Sequence, residues 1–556
     1  MKRILFVLGM AAAAAFTATA QEAGPVVMTP VKQDVSADLY SMMILHPSAP
    51  DVPPSEVVQK HGPLIDEVGS ADRATFSAAP TATYLQNDTL SKPSLLAAPG
   101  INFEALGVGT ASFSILGAPP DTTMAVGPNH IVQWVNSQFA IYNKSGNPLL
   151  PAPGFVVGNT LFTGFGGLCE SSNRGDPLVA YDKIADRWVF SQFAFNTSGS
   201  SIVTPYLQCF AVSTGPNPAG PYNRYAYDFG TNFNDYGKIG VWPDAYYVTY
   251  NSFLNAGSNN GVLLCAYDRA AMIAGTVAVS ICAPTNFYGG GASLLPADME
   301  GATQVPPAGA ANYMIRQGTG APAGLRLFRF KVNSFSPASI TFNDGQGGAL
   351  GTFVNIPVTM TRACNGGAGT CIPQLGTTNL LDTLGDRLMY RFGYRNRGGV
   401  ESLTVNMSAD PDGAGAQGAA IRWFEIRNPS AATPVLFQNS QFNPDTTNRW
   451  MGSMAMDKNG NIAIGYSASN ATINPGIRIT GRLRSDIRNQ MQAEAVIQNG
   501  TGSQTGTLTR WGDYSTMRVD PADDCTFWFT TEYIGASGTF NWRTRIASFK
   551  FANCTP

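Results

Sequence analysis

From about residue 101 onward, short β-branched or aromatic runs alternate with Gly, Pro, Asn and Asp breaks, the pattern of half-buried strands joined by tight turns. Helical spacing is confined to DRAAMIAG at 268–275 and SDIRNQMQAEAV at 485–496. One opening recurs, in which an Asp or a Gly-rich substitute precedes an apolar strand. It is seen in PPDTTMAVG (119–127), RGDPLVAYD (174–182), VWPDAYYVTYN (241–251), LPADMEG (295–301), LGDRLMYRFGYR (384–395), RWMGSMAMD (449–457) and RWGDYSTMRVD (510–520). Two or three further strand-like runs follow each opening, for example SLTVNMSAD, AAIRWFEIR and PVLFQNS after the fifth. About four strands in roughly 40 to 60 residues, repeated, is the unit of a β-propeller. The pattern therefore predicts an all-β fold, a single seven-bladed β-propeller over 101–556, with an array of β-sandwiches as the competing architecture.

The last module shows only three strands, STMRVD, CTFWFTTEY and NWRTRIASFKF. A fourth must come from elsewhere, and ASFSIL at 111–116 is the expected donor, since pairing first and last strands hides two sheet edges.

Composition agrees with this reading. The 59 Gly and 37 Pro supply turns, 31 Phe, 20 Tyr and 8 Trp supply strand and wedge residues, and 44% hydrophobic against 13% charged residues is enough to bury a large core. The N-terminus differs. Lys2 and Arg3, an apolar run from Ile4 to Phe16 and Ala18-Thr19-Ala20 read as a secretory signal over 1–20, cut before Gln21. Residues 21–100, rich in Ala, Pro, Ser and Val, read as an extended low-complexity leader or linker carrying His46 and His61, with a pro-segment as the alternative.

Export changes how the cysteines are read. All eight lie at or beyond Cys169, and an even number in an oxidising compartment points to disulfides between sequence neighbours: Cys169–Cys209, Cys265–Cys282, Cys364–Cys371 and Cys525–Cys554. Without Lys2 and Arg3 the chain keeps 33 basic and 37 acidic side chains, a net −4 that disfavours nucleic acid and anionic membranes. No second apolar run is long enough to span a bilayer. The expectation is a secreted or periplasmic monomer.

GDPLVAYDKIADRWVFSQFAF (175–195), KIGVWPDAYYVTYN (238–251), MDKNGNIAIGYS (456–467) and RWGDYSTMRVDPADDCTFWFTTEY (510–533) resemble secreted bacterial propeller proteins of the broad sialidase-like and BNR-repeat type, many without assigned activity. The resemblance covers about 115–551 and implies a sialidase-like topology. The Asp-box of that superfamily, Ser-x-Asp-x-Gly-x-x-Trp, is not intact here, DKNGNIAIGY and VDPADDCTFW matching it in part, so no activity is implied.

First strands line a propeller's channel, and ligands bind where they open. The openings set Asp121, Asp176, Asp244, Asp298, Asp386 and Asp513 at equivalent positions, with Gly452 in the sixth. Such a ring has the chemistry to hold Ca²⁺ or to raise a carboxyl pKa for acid–base work, and equally to cap its own turns. Arg387, Arg449 and Arg510 occupy three consecutive openings, where converging guanidinium groups would grip a carboxylate, as sialidases grip an acidic sugar. Arg449 and Arg510 each precede a Trp, so stacking or pairing with adjacent acids is the other reading. Asp513, Tyr514, Glu300, Glu401 and Glu532 are the candidates for glycoside chemistry, and Trp242, Tyr246, Trp450 and Trp511 suit either sugar stacking or the packing between sheets.

GxSxG, HExxH, CxxC and Walker sequences are absent, and His130 is the one histidine inside the repeat. No cofactor is expected beyond a Ca²⁺ ion. The leading expectation is an exported propeller that binds a polar extracellular ligand, a glycan, at the channel mouth. A glycoside hydrolase or polysaccharide lyase on the same face and a noncatalytic surface or matrix scaffold stand beside it.

Overall fold

Strand alternation is realised almost everywhere it is predicted, because each strand has a wedge of apolar side chains to face on both sides of its sheet. The structure, a computed structural model, describes residues 24–45, 84–86, 100–115, 117–199, 201–283, 293–301, 303–318, 323–365, 369–412 and 418–555. The signal at 1–20, His46 and His61 lie outside the described residues.

Among the described residues, antiparallel meanders of four strands follow one another. The first sheet runs Thr123–Val126, His130–Val135, Gln138–Asn143, Val156–Val157. The second runs Leu178–Asp182, Arg187–Ser198, Ser201–Ser213, Tyr222–Asp228, and the third Asn232–Val241, Ala245–Leu254, Ser258–Asp268, Ser280–Ala283. The fourth comprises Leu295–Met299, Asn312–Gly318, Gly324–Phe335 and Ala338–Asn343, and the fifth Leu388–Arg397, Val400–Ala409, Ala420–Arg427 and Val435–Phe442; parallel pairing of their first strands, Asp298 opposite Gly393, joins these two meanders into one sheet. The sixth comprises Asn448–Met456, Ile462–Asn470, Ile473–Arg482 and Ala495–Gln498. The seventh has Thr516–Val519, Phe527–Ile534 and Trp542–Phe549, and borrows Asn102–Gly107. A disulfide-tied hairpin, Thr370–Gln374 with Thr377–Asp382, is inserted between the fourth and fifth.

First strands of neighbouring sheets touch in sequence order, and Thr516–Val519 of the seventh touches Thr123–Val126 of the first. Apolar wedges fill every gap. Trp134 and Phe139 of the first sheet meet Val179 and Phe190 of the second, and Phe210 of the second meets Tyr246 and Val248 of the third. Tyr247 of the third packs with Leu327 and Phe330 of the fourth and Phe392 of the fifth, and Trp423 of the fifth with Ile464 and Tyr466 of the sixth. Ile477 and Ile479 of the sixth meet Phe527 and Phe529 of the seventh, whose Trp528 and Ile546 meet Met124 and Ile131 of the first. This radial order of wedged meanders is that of a β-propeller. Each buried aromatic or branched side chain in a wedge is worth about 1.5–3 kcal/mol, so the sheets are held by their faces. Gly465 shows how closely: a Cβ there would lie 2.5 Å from the Phe529 ring.

Two expectations need correction. The borrowed strand is Asn102–Gly107, in register Ala547↔Asn102, Ile546↔Phe103 and Arg545↔Glu104, and not 111–116. Residues 111–112 form a turn, and Phe113 and Ile115 pack instead against the wedge between the seventh and first sheets. The segment read as a leader is, where described, paired with the sheets. Val26–Met28 and Lys32–Val35 extend the outer edges of the third and second sheets, and Tyr84–Gln86 extends the fifth. A short helix, Leu39–Leu45, is started by Asp38, whose carboxylate accepts the Ser41 N–H at 3.0 Å, and buries Leu39 and Met42 against Leu161, Phe162 and Phe165.

All four disulfides join the expected neighbours, with Cys265 and Cys282 directly opposite on paired strands.

Candidate functional site

Six of the seven openings mark first strands. The third is misplaced, since VWPDAYYVTYN begins where the first strand of its sheet ends and continues into the second. The backbone identifies the true equivalents. Asp121, Asp176, Tyr236, Ser293, Met451 and Asp513 all adopt a left-handed φ, between 44° and 56°, where their first strands begin or bulge. Asp tolerates this region because its short side chain can bond locally. Only Asp121, Asp176 and Asp513 are thus equivalent. Asp244 lies at the far end of the third sheet, accepting the Tyr247 hydroxyl at 2.9 Å, Asp298 lies inside a first strand, and Asp386 lies in the loop before one.

Asp121, Asp176 and Asp513 gather at one mouth of the channel. Asp176 Oδ2 accepts the Tyr236 N–H and the Tyr514 hydroxyl, each at 3.0 Å, and Asp121 accepts the Asn136 side-chain amide at 3.0 Å. The Tyr236 and Tyr514 rings lie 5.2 Å apart, and the Lys238 ammonium sits 3.2 Å and 3.7 Å from their centroids. Arg510 pairs with Asp513, Arg387 pairs with Asp386 at 2.7 Å, and the Arg387 guanidinium lies 4.7 Å from the Tyr236 ring. Carboxyl groups, Asp235 and Glu532 among them, thus outnumber the three bases.

That excess sets the electrostatics. Burial, with Asp513 and Asp176 nearby, pushes the Asp121 carboxyl well above its usual range. Burial and Asp513 also raise the Asp176 carboxyl, and burial with Asp176 and Asp513 pushes Asp235 up to about 8. Burial drives the Lys238 ammonium well below its ordinary value. Burial also opposes the charges on Arg387 and Arg510, but Asp386 and Asp513 outweigh it and hold both guanidiniums charged. Tyr514 is pushed far up by burial and by Asp176, so its hydroxyl is a donor and not a nucleophile.

Deeper along the first strands lies a second cluster. Glu300 pairs there with Arg391 and Lys183. Arg391 Nε also donates to Asp298 at 2.5 Å, and Arg518 pairs with Asp298. Arg518 reaches the Met124 carbonyl of the first sheet at 3.1 Å and the Tyr390 hydroxyl of the fifth at 2.9 Å, so one side chain ties strands across the axis. Burial would raise Asp298 and Glu300, yet the three bases prevail and hold both below the usual carboxylate range.

The mouth therefore assembles Asp176, Asp386, Arg387, Arg510, Asp513 and Tyr514 from the expected set. Asp244, Arg449 and Glu300 stand apart. Arg449 is held by Glu494 at 2.9 Å and by Asp445 at 3.0 Å, in a buried pairing on the sixth sheet. Glu401 accepts the Tyr394 hydroxyl, and Glu532 accepts the Gly512 N–H. Trp242, Tyr246, Trp450 and Trp511 are fully buried packing residues. Asp235, Tyr236 and Lys238 were missed with the third opening, although NDYGKIGV places Lys238 two residues after Tyr236, as Leu178 follows Asp176. Among the described residues no group of three or more His, Cys, Asp or Glu side chains is arranged to hold a metal ion, and no helix is long and apolar enough to cross a membrane.

No protein-family model and no curated protein matches the chain. Among solved structures, it is similar to a subtype N10 neuraminidase-like protein of A/little yellow-shouldered bat/Guatemala, at 8% identity and TM-score 0.32, over 66% of this chain and 95% of that one. The Hadza microbial sialidase matches at 11% identity and TM-score 0.34, over 78% and 75%. The WD40 domain of SCAP from fission yeast matches at 8% identity and TM-score 0.29, over 78% and 85%. Likeness at this level concerns the fold alone, and the sheet order above carries the propeller reading independently.

Proposed function

We propose that the chain is one closed seven-bladed β-propeller, exported, which binds a hydroxyl-bearing ligand with an acid group, an acidic glycan, at the mouth where Asp121, Asp176 and Asp513 meet. The observation behind this reading is the gathering of Arg387, Arg510 and Lys238 with these carboxyls around two adjoining tyrosine rings. Carboxyls kept neutral by burial can both donate to and accept from sugar hydroxyls, while guanidinium groups suit the ligand's acid. Closure is supported by the contact of the seventh sheet with the first, and export by the Lys2-to-Ala20 pattern and four disulfides.

Hydrolysis on the same face is a second reading. It is favoured by Asp176, raised toward its neutral acid form, beside Asp513, which is paired with Arg510. The deciding experiment combines an acidic-glycan binding and turnover panel with thermal melting of Arg510→Lys. Lys keeps the charge but loses the fork, so binding should weaken about tenfold or more while melting barely moves. A clear loss of stability with unchanged binding would assign Arg510 to folding and defeat the proposal. Binding without turnover separates a lectin or scaffold from a hydrolase or lyase.

A further inference from the structure

At the opposite end of the first strands from the mouth lies a groove of about 600 Å³, a volume typical of small-ligand sites. Arg397 ends the first strand of the fifth sheet, Lys458, Asn459 and Asn461 lie in the turn after the first strand of the sixth, and Arg484 follows that sheet's third strand. Gln304, Asn553 and Ser485 add to the polar wall, and among the described residues no acid lines the groove.

The floor is built rigidly. Asp457 Oδ1 accepts the Asn459 and Asn461 N–H groups, both at 2.9 Å, and the Asn461 amide donates to Asp457 at 2.7 Å and to Asn553 at 2.9 Å. Gly460, at φ +87°, leaves room for the Arg397 guanidinium, since a Cβ there would come within 2.8 Å of it. The three cations are not spoken for. Among the described residues none of Arg397, Lys458 and Arg484 forms an ion pair, and the Arg397 Nε is buried without a hydrogen-bond partner. The nearest acid, Asp457, is taken up by the Asn459 and Asn461 bonds beneath the floor, and Glu425 and Asp524 are engaged by Arg427 at 2.7 Å and by Arg395 at 2.6 Å. Burial first, and then Arg484 and Arg427 close by, lower the Arg397 guanidinium from its ordinary value, with Glu425 acting against them.

We propose that this groove is a second binding site, for a tetrahedral oxyanion, phosphate or sulfate, carried on a small hydroxylated ligand. Three unpaired cations supply the charge for a dianion, and the amides of Asn459 and Asn553, the latter positioned by Asn461, with the Ser485 hydroxyl suit the hydroxyl groups around it. Nothing in this argument depends on the mouth, so the two sites stand or fall separately.

The test is calorimetric titration and thermal melting of the full chain with inorganic phosphate, inorganic sulfate, glucose 6-phosphate and glucose 6-sulfate, against chloride at equal ionic strength. The oxyanions should raise the melting temperature beyond chloride, and the sugar esters should bind more tightly than the free ions. Arg484→Gln should weaken binding about tenfold or more without lowering the melting temperature in anion-free buffer, because it removes a repulsion and no partner. Arg510→Lys at the mouth should leave these titrations unchanged. An oxyanion response no greater than that of chloride, or one equal in Arg484→Gln and the unaltered protein, would overturn the site. Phosphate and sulfate esters binding unequally would identify which oxyanion it takes.

Discussion

The mouth and the axial cluster hang on the same first strands and are buried alike, yet their charges are balanced in opposite senses. At the mouth the carboxyls outnumber the three bases, and burial pushes the surplus acids Asp121, Asp176, Asp235 and Glu532 upward. On the axis two carboxyls face three bases, and Asp298 and Glu300 are held down as ions by Arg391, Arg518 and Lys183. Burial alone therefore does not decide a carboxyl's state; the count of neighbours of each sign does. A balanced cluster ties strands together, whereas one with surplus acid is under repulsion that a ligand can relieve.

The strongest way to break this comparison is to remove a charge from each cluster. Arg391 is fully buried between Asp298 and Glu300, so Arg391→Met leaves two buried carboxylates short of a partner and should cost about 3–5 kcal/mol in denaturant unfolding. Asp176→Asn keeps a side-chain oxygen to accept from Tyr236 and Tyr514 and removes one of the crowded acids, so it should cost less than about 1 kcal/mol. Equal losses would make the mouth a structural plug like the axis.

Titration sharpens the contrast next. Asp121, Asp176 and Asp235 have folded pKa values above their unfolded ones, so folding takes up protons at these groups between about pH 4 and 8. Their contribution is fully present below about pH 4 and is lost as pH rises through about 8, the value for Asp235. The axial acids run the other way. Asp298 and Glu300 are lowered, so their contribution is present above about pH 4 and lost on further acidification. The melting temperature should therefore fall as pH rises from about 5 to 8, and Asp235→Asn should flatten that fall. A profile that is flat in the unaltered protein, or unchanged by Asp235→Asn, would contradict the charge balance assigned to the mouth.

How much of this was legible follows the same division. Strands, disulfides and six openings could be read because they rest on local patterns: Cys265 and Cys282 are neighbours in sequence and partners in register. The third opening was lost because its first strand, Asn232–Val241, carries a bulge between Asp235 and Lys238 and turns a lysine inward, which breaks the apolar alternation. The closing strand was misassigned because NFEALG and ASFSIL are equally short, and only register with Trp542–Phe549 separates them. The axial cluster could not be found from spacing at all. Lys183, Asp298, Arg391 and Arg518 come from four separate runs of the chain, and each looks like an ordinary polar residue in its own run.

The smallest expected effect tests what Tyr514 does at the mouth. Its hydroxyl donates to Asp176, and burial keeps it protonated, so Tyr514→Phe removes one hydrogen bond at a cost of about 1 kcal/mol. The same bond helps hold the Asp176 carboxyl down against burial, so its loss should raise that pKa further and steepen the fall of stability between about pH 5 and 8. Melting curves of Tyr514→Phe across pH, set beside those of Asp176→Asn, check both points. If Tyr514→Phe steepens the profile but the double variant with Asp176→Asn does not, the tyrosine acts through that carboxyl. If the profile is unmoved while acidic-glycan affinity drops, the hydroxyl touches the ligand directly, and the mouth is a binding surface whose acids play the lesser part.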